Sequence, residues 1–175
     1  MTQNDEGDAR ARFEALVQSF SADLYRYAFW LCRNRDTAEE LVQETFLRAW
    51  RSIDNLRDEK AAKGWLFTIV RREHARLYER KRLDMLDDPD FERVPGARGY
   101  DTSTEAFVLR RALAELPEDY REPLVLQVIG GYTAEEIGQM LGISAGAVMT
   151  RLFRARKKMR ELLEGDAEAS AEVKK

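Results

Sequence analysis

One cysteine, one histidine and four prolines in 175 residues remove several classes of protein at once. Cys32 alone cannot close an intrachain disulfide, no C-x-x-C pair occurs, and one Cys with one His cannot build a zinc site. No metal and no cofactor are therefore expected. Cys32 falls in an apolar helical pattern, where a small buried side chain is its ordinary role. No apolar run is long enough for a membrane span, and no signal-peptide or lipidation pattern is present. The expectation is a cytoplasmic protein without direct membrane insertion. Stretches that alternate apolar and polar residues are also missing, while apolar residues recur at helical spacing almost throughout. The fold expected is all-α.

The formal net charge is −3, an unpromising balance for a nucleic-acid binder until the charges are located. From Ala61 to Arg82 there are seven Lys or Arg against two Glu, and from Ser144 to Arg160 six against none. Acids collect in Met1–Asp8, in Asp84–Glu105 and after Glu161. Two basic surfaces separated by an acidic connector suggest contact with nucleic acid at two places, with acidic segments able to screen them.

The periodicity places two small helical bundles around a flexible acidic linker. Phe13, Leu16, Val17, Phe20, Leu24, Tyr27, Ala28 and Leu31 define a first helix, followed by a polar loop at Arg33–Arg35. Asp36 is then expected to cap a second helix, with Glu39 at its third position and an apolar side running from Ala38 to Ile53. A third helix is expected from near Lys63 to about Arg82, closing a bundle over residues 9–83. Pro89, Pro95, Gly96 and Gly99 lie among acids in the linker, 84–103. The second bundle, 104–164, reads as helices near Thr104–Glu115, Glu118–Ile129, Thr133–Leu141 and Ser144–Leu163. Pro123 is expected to bend the start of its helix without breaking it. The remainder, 165–175, has little to bury and is expected to be a disordered tail.

The end of the second bundle is spelled as a helix-turn-helix. Thr133 and Glu136 fit a capping box, Ile137, Met140 and Leu141 give an apolar face, Gly142 suits a left-handed helix end, and Ser144 can cap the next helix. Val148, Leu152, Ala155, Met159 and Leu162 form a stripe toward the core. The opposite face carries Gly146, Thr150, Phe153, Arg154 and Lys157, so Gly146 to Thr150 should sit deepest on DNA while Arg154, Arg156 and Lys157 hold the backbone. The plainer alternative is an amphipathic helix with a solvated basic face, which does not account for the agreement of turn, caps and register. Gly142 to Gly146 also fits G-x-S-x-G, the spelling of a hydrolase nucleophile elbow. That elbow needs a strand before the serine and a histidine after it, whereas a helix precedes Ser144 and His74 lies far upstream. No enzyme and no small-molecule substrate are expected.

In the first bundle, Trp65, Ile69, Arg72, Arg76 and Arg80 share one sector of the third helix. An aromatic among guanidinium groups suits single-stranded DNA, since stacking contributes about 1–3 kcal/mol per base, although Trp65 and Ile69 also suit a core. Glu39, Glu40, Gln43, Glu44 and Arg48 lie away from the apolar stripe of the second helix. Such a face repels DNA and would sooner dock a protein surface or simply be solvated.

These segments resemble a known family. DTAEELVQETFLRAW (Asp36–Trp50), GWLFTIVRREHARLYERKR (Gly64–Arg82), LPEDYREPLVLQ (Leu116–Gln127) and YTAEEIGQMLGISAGAVMTRLFRARKKMREL (Tyr132–Leu162) are similar, in that order, to the extracytoplasmic-function sigma factors of the sigma-70 family. The resemblance spans Phe13 to Leu163. It implies that the second helix binds the clamp helices of core RNA polymerase through Asp36, Glu39, Gln43, Glu44, Leu47 and Trp50. It implies that the loop from Asn55 to Lys63 and the third helix open and read the minus-ten element, with Asn55, Lys63, Trp65, Arg72, Arg76 and Arg80. It implies that Ser144, Gly146, Met149, Thr150, Arg151, Phe153, Arg154 and Lys157 meet the minus-thirty-five element of promoter DNA. Pro117–Gln127 would meet the polymerase flap, the linker would run toward the RNA exit path, and an anti-sigma factor, often anchored at the membrane, would hold the protein inactive. Apolar Met149 and Ala147 stand where many relatives carry a basic residue and Thr, which suggests an altered minus-thirty-five preference. Two other classes fit less of the chain. A free-standing helix-turn-helix repressor would read a palindrome as a dimer without polymerase, and a helical adaptor would never touch DNA.

Overall fold

The computed structural model describes residues 3–56, 58–81 and 104–172, with side chains over 7–56, 58, 60–77 and 106–165. The expected linker, 84–103, lies outside the described residues. Among the described residues every regular element is helical. The chain divides into two compact units, Met1–Val94 and Pro95–Lys175.

In the first unit, α1 (Gln3–Cys32), α2 (Arg35–Arg51) and α3 (Ala62–Lys81) pack each against the other two. Leu24, Tyr27, Ala28, Phe29, Leu41, Ala49, Leu66, Phe67 and Val70 are fully buried, and the rings of Tyr27 and Phe67 stack 4.9 Å apart. Each large side chain so buried contributes about 1.5–3 kcal/mol. Thr45, a polar residue sunk to the same depth, donates its hydroxyl to Leu41 O at 2.7 Å, so burial leaves that group paired.

α1 ends where Arg33 turns left-handed (φ 56°) and returns its N–H to Phe29 O. Asn34 is then extended and its Oδ1 accepts from Thr37 N at 2.9 Å. The cap of α2 is therefore Asn34 rather than Asp36, and the loop is shorter than expected. Both residues are good caps, and the choice falls to the one that the abrupt end of α1 leaves extended. Asp36 sits in the first turn, where its charge faces the positive end of the helix dipole. Between α2 and α3 the chain makes two 3₁₀ turns, Ile53–Asn55 and Glu59–Ala61.

The second unit comprises α4 (Thr104–Glu115), α5 (Glu118–Val125), α6 (Ala134–Leu141) and α7 (Ala145–Glu172). α7 is its spine and packs against the other three. Ala112, Leu116, Ala155 and Met159 form one buried cluster, with Tyr120, Leu124 and Leu162 against it. Arg121 is buried beneath the end of α4 and donates to Ala114 O (3.3 Å) and Leu116 O (2.9 Å). Its cation thus satisfies carbonyls that a helix end leaves open.

Two boundaries differ from expectation. α5 stays α-helical past Pro123, unbroken as expected, but turns π-helical over Leu126–Gly130, so the helix expected to Ile129 changes pitch before its end. Proline removes one donor from the ladder, and the wider turn follows directly after it. α7 does not stop at Leu163: helix continues to Glu172, through most of the segment expected to be disordered. Beyond Gly165 that segment is rich in Ala and Glu, both strong helix formers, and meets no proline.

Candidate nucleic-acid and protein interfaces

The turn between α6 and α7 is built by local chemistry. Thr133 Oγ1 accepts from Glu136 N at 3.3 Å and Glu136 Oε2 accepts from Thr133 N at 2.8 Å, a complete capping box. α6 ends on Gly142 at φ 69°, a conformation that costs glycine nothing. Ser144 Oγ accepts from Ala147 N at 3.2 Å and caps α7. A further glycine escaped the sequence reading. A Cβ on Gly138 would lie 2.7 Å from Ile143 O, so the turn presses on α6 there. A glycine inside a helix four residues before its glycine end was the available signal.

Along α7, Val148, Leu152, Ala155 and Met159 are buried as the periodicity required. The opposite face presents Gly146, Met149, Thr150, Phe153, Arg154 and Lys157, all exposed. Met149 is 63% and Phe153 69% exposed, unusual for such residues. Thr150 Oγ1 donates back to Gly146 O at 3.0 Å. Several cations lean toward α5 and the π-helical turn after it: Arg154 Nη1 lies 3.5 Å from Tyr120 Oη, Arg156 Nη2 donates to Gln127 Oε1 at 2.5 Å, and Arg151 Nη1 pairs with Asp119 at 3.1 Å. Arg151 is half-buried at the edge of the core stripe and does not share the face of the other candidates. Ser144 Oγ is engaged in the cap.

On α2, Asp36, Glu39, Gln43, Glu44, Leu47 and Trp50 occupy one outward arc, opposite the buried Ala38, Leu41, Thr45 and Ala49. Leu47 is 51% and Trp50 44% exposed. Trp50 stands edge-on to Phe13 of α1 at 5.1 Å, and Phe13 in turn meets Phe46 at 6.1 Å. An aromatic platform beside carboxylates results, suited to a protein partner that brings apolar and basic groups. At the start of this face the Tyr25 hydroxyl is buried without a hydrogen-bond partner. Burial first, and the charge of Glu39 second, push it up to about 12.

The candidate minus-ten residues divide. Asn55 is exposed at the end of its 3₁₀ turn. Lys63 is half-buried, paired with Asp23 at 3.1 Å and set over the ring of Phe67. Trp65, Arg72 and Arg76 come together with Ile69 around an open hollow of about 500 Å³. Trp65 is half-buried, so it serves packing and surface at once. Arg80 lies on α3, and its side chain is outside the described residues. The sequence reading missed the other wall, Arg48, Arg51 and Ser52 from the end of α2, and Glu73 beneath. Glu73 Oε1 is buried against Arg48 Nε at 2.7 Å and Arg76 Nη1 at 3.4 Å, and Arg48 also meets Glu44 at 2.9 Å. An acid directly after Arg71 and Arg72, and three residues before Arg76, was the signal. Arg12 Nη2 donates to Leu56 O at 2.7 Å and ties the loop before α3 to α1, a contact with no sequence signature.

Among the described residues no group of His, Cys, Asp or Glu could hold a metal ion, and no helix is long and apolar enough to cross a membrane.

Comparison with known proteins matches both units. The sigma-70 region 2 family matches residues 16–83, and the sigma-70 region 4 family matches residues 106–159. The chain is 34% identical to the ECF RNA polymerase sigma factor SigE of Mycolicibacterium smegmatis over 89% of its own length, spanning 63% of that relative. It is also 34% identical to the ECF RNA polymerase sigma factor EcfG of Rhodopseudomonas palustris, covering 80% of this chain and 78% of that one. The solved structure of the sigma factor RpoE in complex with the anti-sigma factor NepR, from Bartonella quintana, is similar with a TM-score of 0.68 and 27% identity, over 93% of this chain and 98% of the other.

Proposed function

The chain belongs to the extracytoplasmic-function sigma factors of the sigma-70 family, transcription initiation factors and not enzymes, and from that premise we propose how its surfaces divide the work. The α2 face of Asp36, Glu39, Gln43, Glu44, Leu47 and Trp50 docks on core RNA polymerase. The hollow formed by Trp65, Ile69, Arg72 and Arg76, with the neighbouring loop from Asn55 to Lys63, receives the opened minus-ten strand. The outer face of α7, from Gly146 to Lys157, enters the major groove of the minus-thirty-five duplex. The boundaries proposed for these roles are residues 9–83 and 104–164, joined by 84–103.

One observation carries this reading. On the outward face of α2, Leu47 and Trp50 continue an arc of Asp36, Glu39 and Glu44, whereas on α7 Met149 and Phe153 lead into Arg154, Arg156 and Lys157 with no acid among them. The first surface repels a phosphate backbone and the second attracts it, so the two suit partners of different kinds. A lone repressor or an adaptor needs only one of them.

Stacking on Trp65 and charge from Arg72 and Arg76 would stabilise unstacked bases, which offsets the cost of opening the duplex. Polymerase supplies the remaining affinity, because two small basic faces on a chain of charge −3 neutralise few phosphates. Leu124 lines an apolar hollow of about 520 Å³ with Leu109, Met159 and Leu163, a surface for the polymerase flap. An anti-sigma factor that covers the α2 face would keep the protein inactive in the cytoplasm, as the RpoE relative's complex with an anti-sigma factor suggests.

The test is binding of the labelled full chain to core polymerase. Leu47→Ala and Trp50→Ala should each weaken it at least tenfold, the range of interface anchors, while Phe153→Ala should not. Equal affinity for all three would remove α2 as the docking face.

A further inference from the structure

We propose that Met149 and Phe153 read the methyl group of a thymine in the minus-thirty-five element. The inference rests on the assignment of α7 to that duplex and names the chemistry it recognises there. The two residues lie one helical turn apart, so their side chains are neighbours on one surface. They are 63% and 69% exposed, and the unit's own core makes no use of them. Position 149 to 153 is the centre of the outward face, with Thr150 beside it and Arg154, Lys157 and Arg160 beyond, all exposed.

A rim of cations along one end of an apolar centre specifies the partner. The rim favours a surface of regularly placed anions, which the two phosphate strands flanking a major groove provide. Within the groove, guanine, cytosine and adenine edges offer hydrogen-bond donors and acceptors, and thymine alone adds a methyl group. Neither thioether nor phenyl can satisfy a donor or acceptor that it covers. Placed over G·C edges the pair would leave polar atoms desolvated and unpaired, which is unfavourable. Over thymine it covers carbon with carbon. The preference is therefore set by what these side chains lack, and the neighbouring Thr150 hydroxyl, already donating to Gly146 O, does not reverse it.

Deoxyuridine removes that methyl and nothing else. Holoenzyme made from the full chain and core polymerase is assayed for open-complex formation on a promoter that it uses, with each thymine of the upstream element, on either strand, replaced in turn by deoxyuridine. At one thymine the replacement should lower occupancy about fourfold, the ratio for burying one carbon group at about 0.8 kcal/mol. Met149→Gln, similar in length and also exposed, should lower the thymine template to the uridine level and erase the difference. Its melting temperature, measured alongside, should match that of the unaltered chain. Indifference to every uridine, with initiation still dependent on the upstream element, would overturn the inference and leave the sigma assignment standing. An upstream element without thymine on either strand would overturn it equally. Failure of the unaltered chain to direct initiation on any promoter would remove both.

Discussion

Tyr25 carries a consequence out of proportion to its size. Its hydroxyl is buried without a partner, and burial together with Glu39 raises its pKa from 10 to about 12. Between those values the unfolded chain has lost the proton that the folded chain retains, so stability falls as pH rises from 10 to 12 and is undiminished below 10. Tyr25→Phe should flatten that alkaline loss and, by removing an unpaired buried hydroxyl, raise stability at neutral pH by about 1 kcal/mol. Denaturant unfolding at pH 7 and pH 11 measures both, and parallel alkaline losses in the two proteins would refute the assignment. At this scale the sequence was legible in the helix-turn-helix, where the deciding contacts span three or four residues. Thr133, Glu136, Gly142 and Ser144 do what their local order dictates. Asn34 took the cap from Asp36 because the end of α1, and not propensity, chose between two good caps. Arg12 on Leu56 and Arg48 on Glu73 join residues distant in the chain, and no spacing rule foresees such pairs.

At the scale of elements, periodicity located the seven α-helices among the described residues, because each has one buried side and the apolar residues mark it. What it missed were changes of pitch and endings. The π-turn after Pro123 depends on how the helix closes once a donor is gone, and the extension of α7 to Glu172 on propensity where no apolar stripe guides the eye. Two glycines of the helix-turn-helix should respond to alanine with opposite signs. Gly138→Ala forces a methyl against a backbone oxygen that cannot move freely and should destabilise by about 1–3 kcal/mol. Gly146 has open space around it, so Gly146→Ala should stabilise by up to about 1 kcal/mol. The same substitution should lower use of minus-thirty-five-dependent promoters, since the added methyl projects from the face assigned to DNA. Thermal unfolding and promoter assays on the pair decide the matter. A stabilised Gly138→Ala would mean that the turn does not press on α6, and unchanged promoter use by Gly146→Ala would move the DNA face elsewhere.

For the whole molecule, the segregation of charge matters more than its sum. A net −3 coexists with a stretch of six cations and no acid in α7, and with an α2 face whose first turns carry Asp36, Glu39, Glu40 and Glu44. The sequence exposed that segregation at once, but not which cations remain available. Arg151 turned to Asp119 and Lys63 to Asp23, whereas Lys157 stays exposed with only a 4.0 Å approach to Glu161. Lys157→Ala in the holoenzyme should therefore weaken promoter binding on every sequence alike and reduce the salt slope by about 0.9, the value for one phosphate no longer neutralised. An unchanged slope would take Lys157 off the interface.

Whether this chain is a promoter-specificity subunit is decided by run-off transcription with bacterial core polymerase on a pooled library of genomic promoters, with and without the chain, sequencing the RNA starts. Such a subunit should produce starts that appear only in its presence and share two upstream elements at fixed spacing. A folded chain and an active matched polymerase that yield no chain-dependent starts would contradict it.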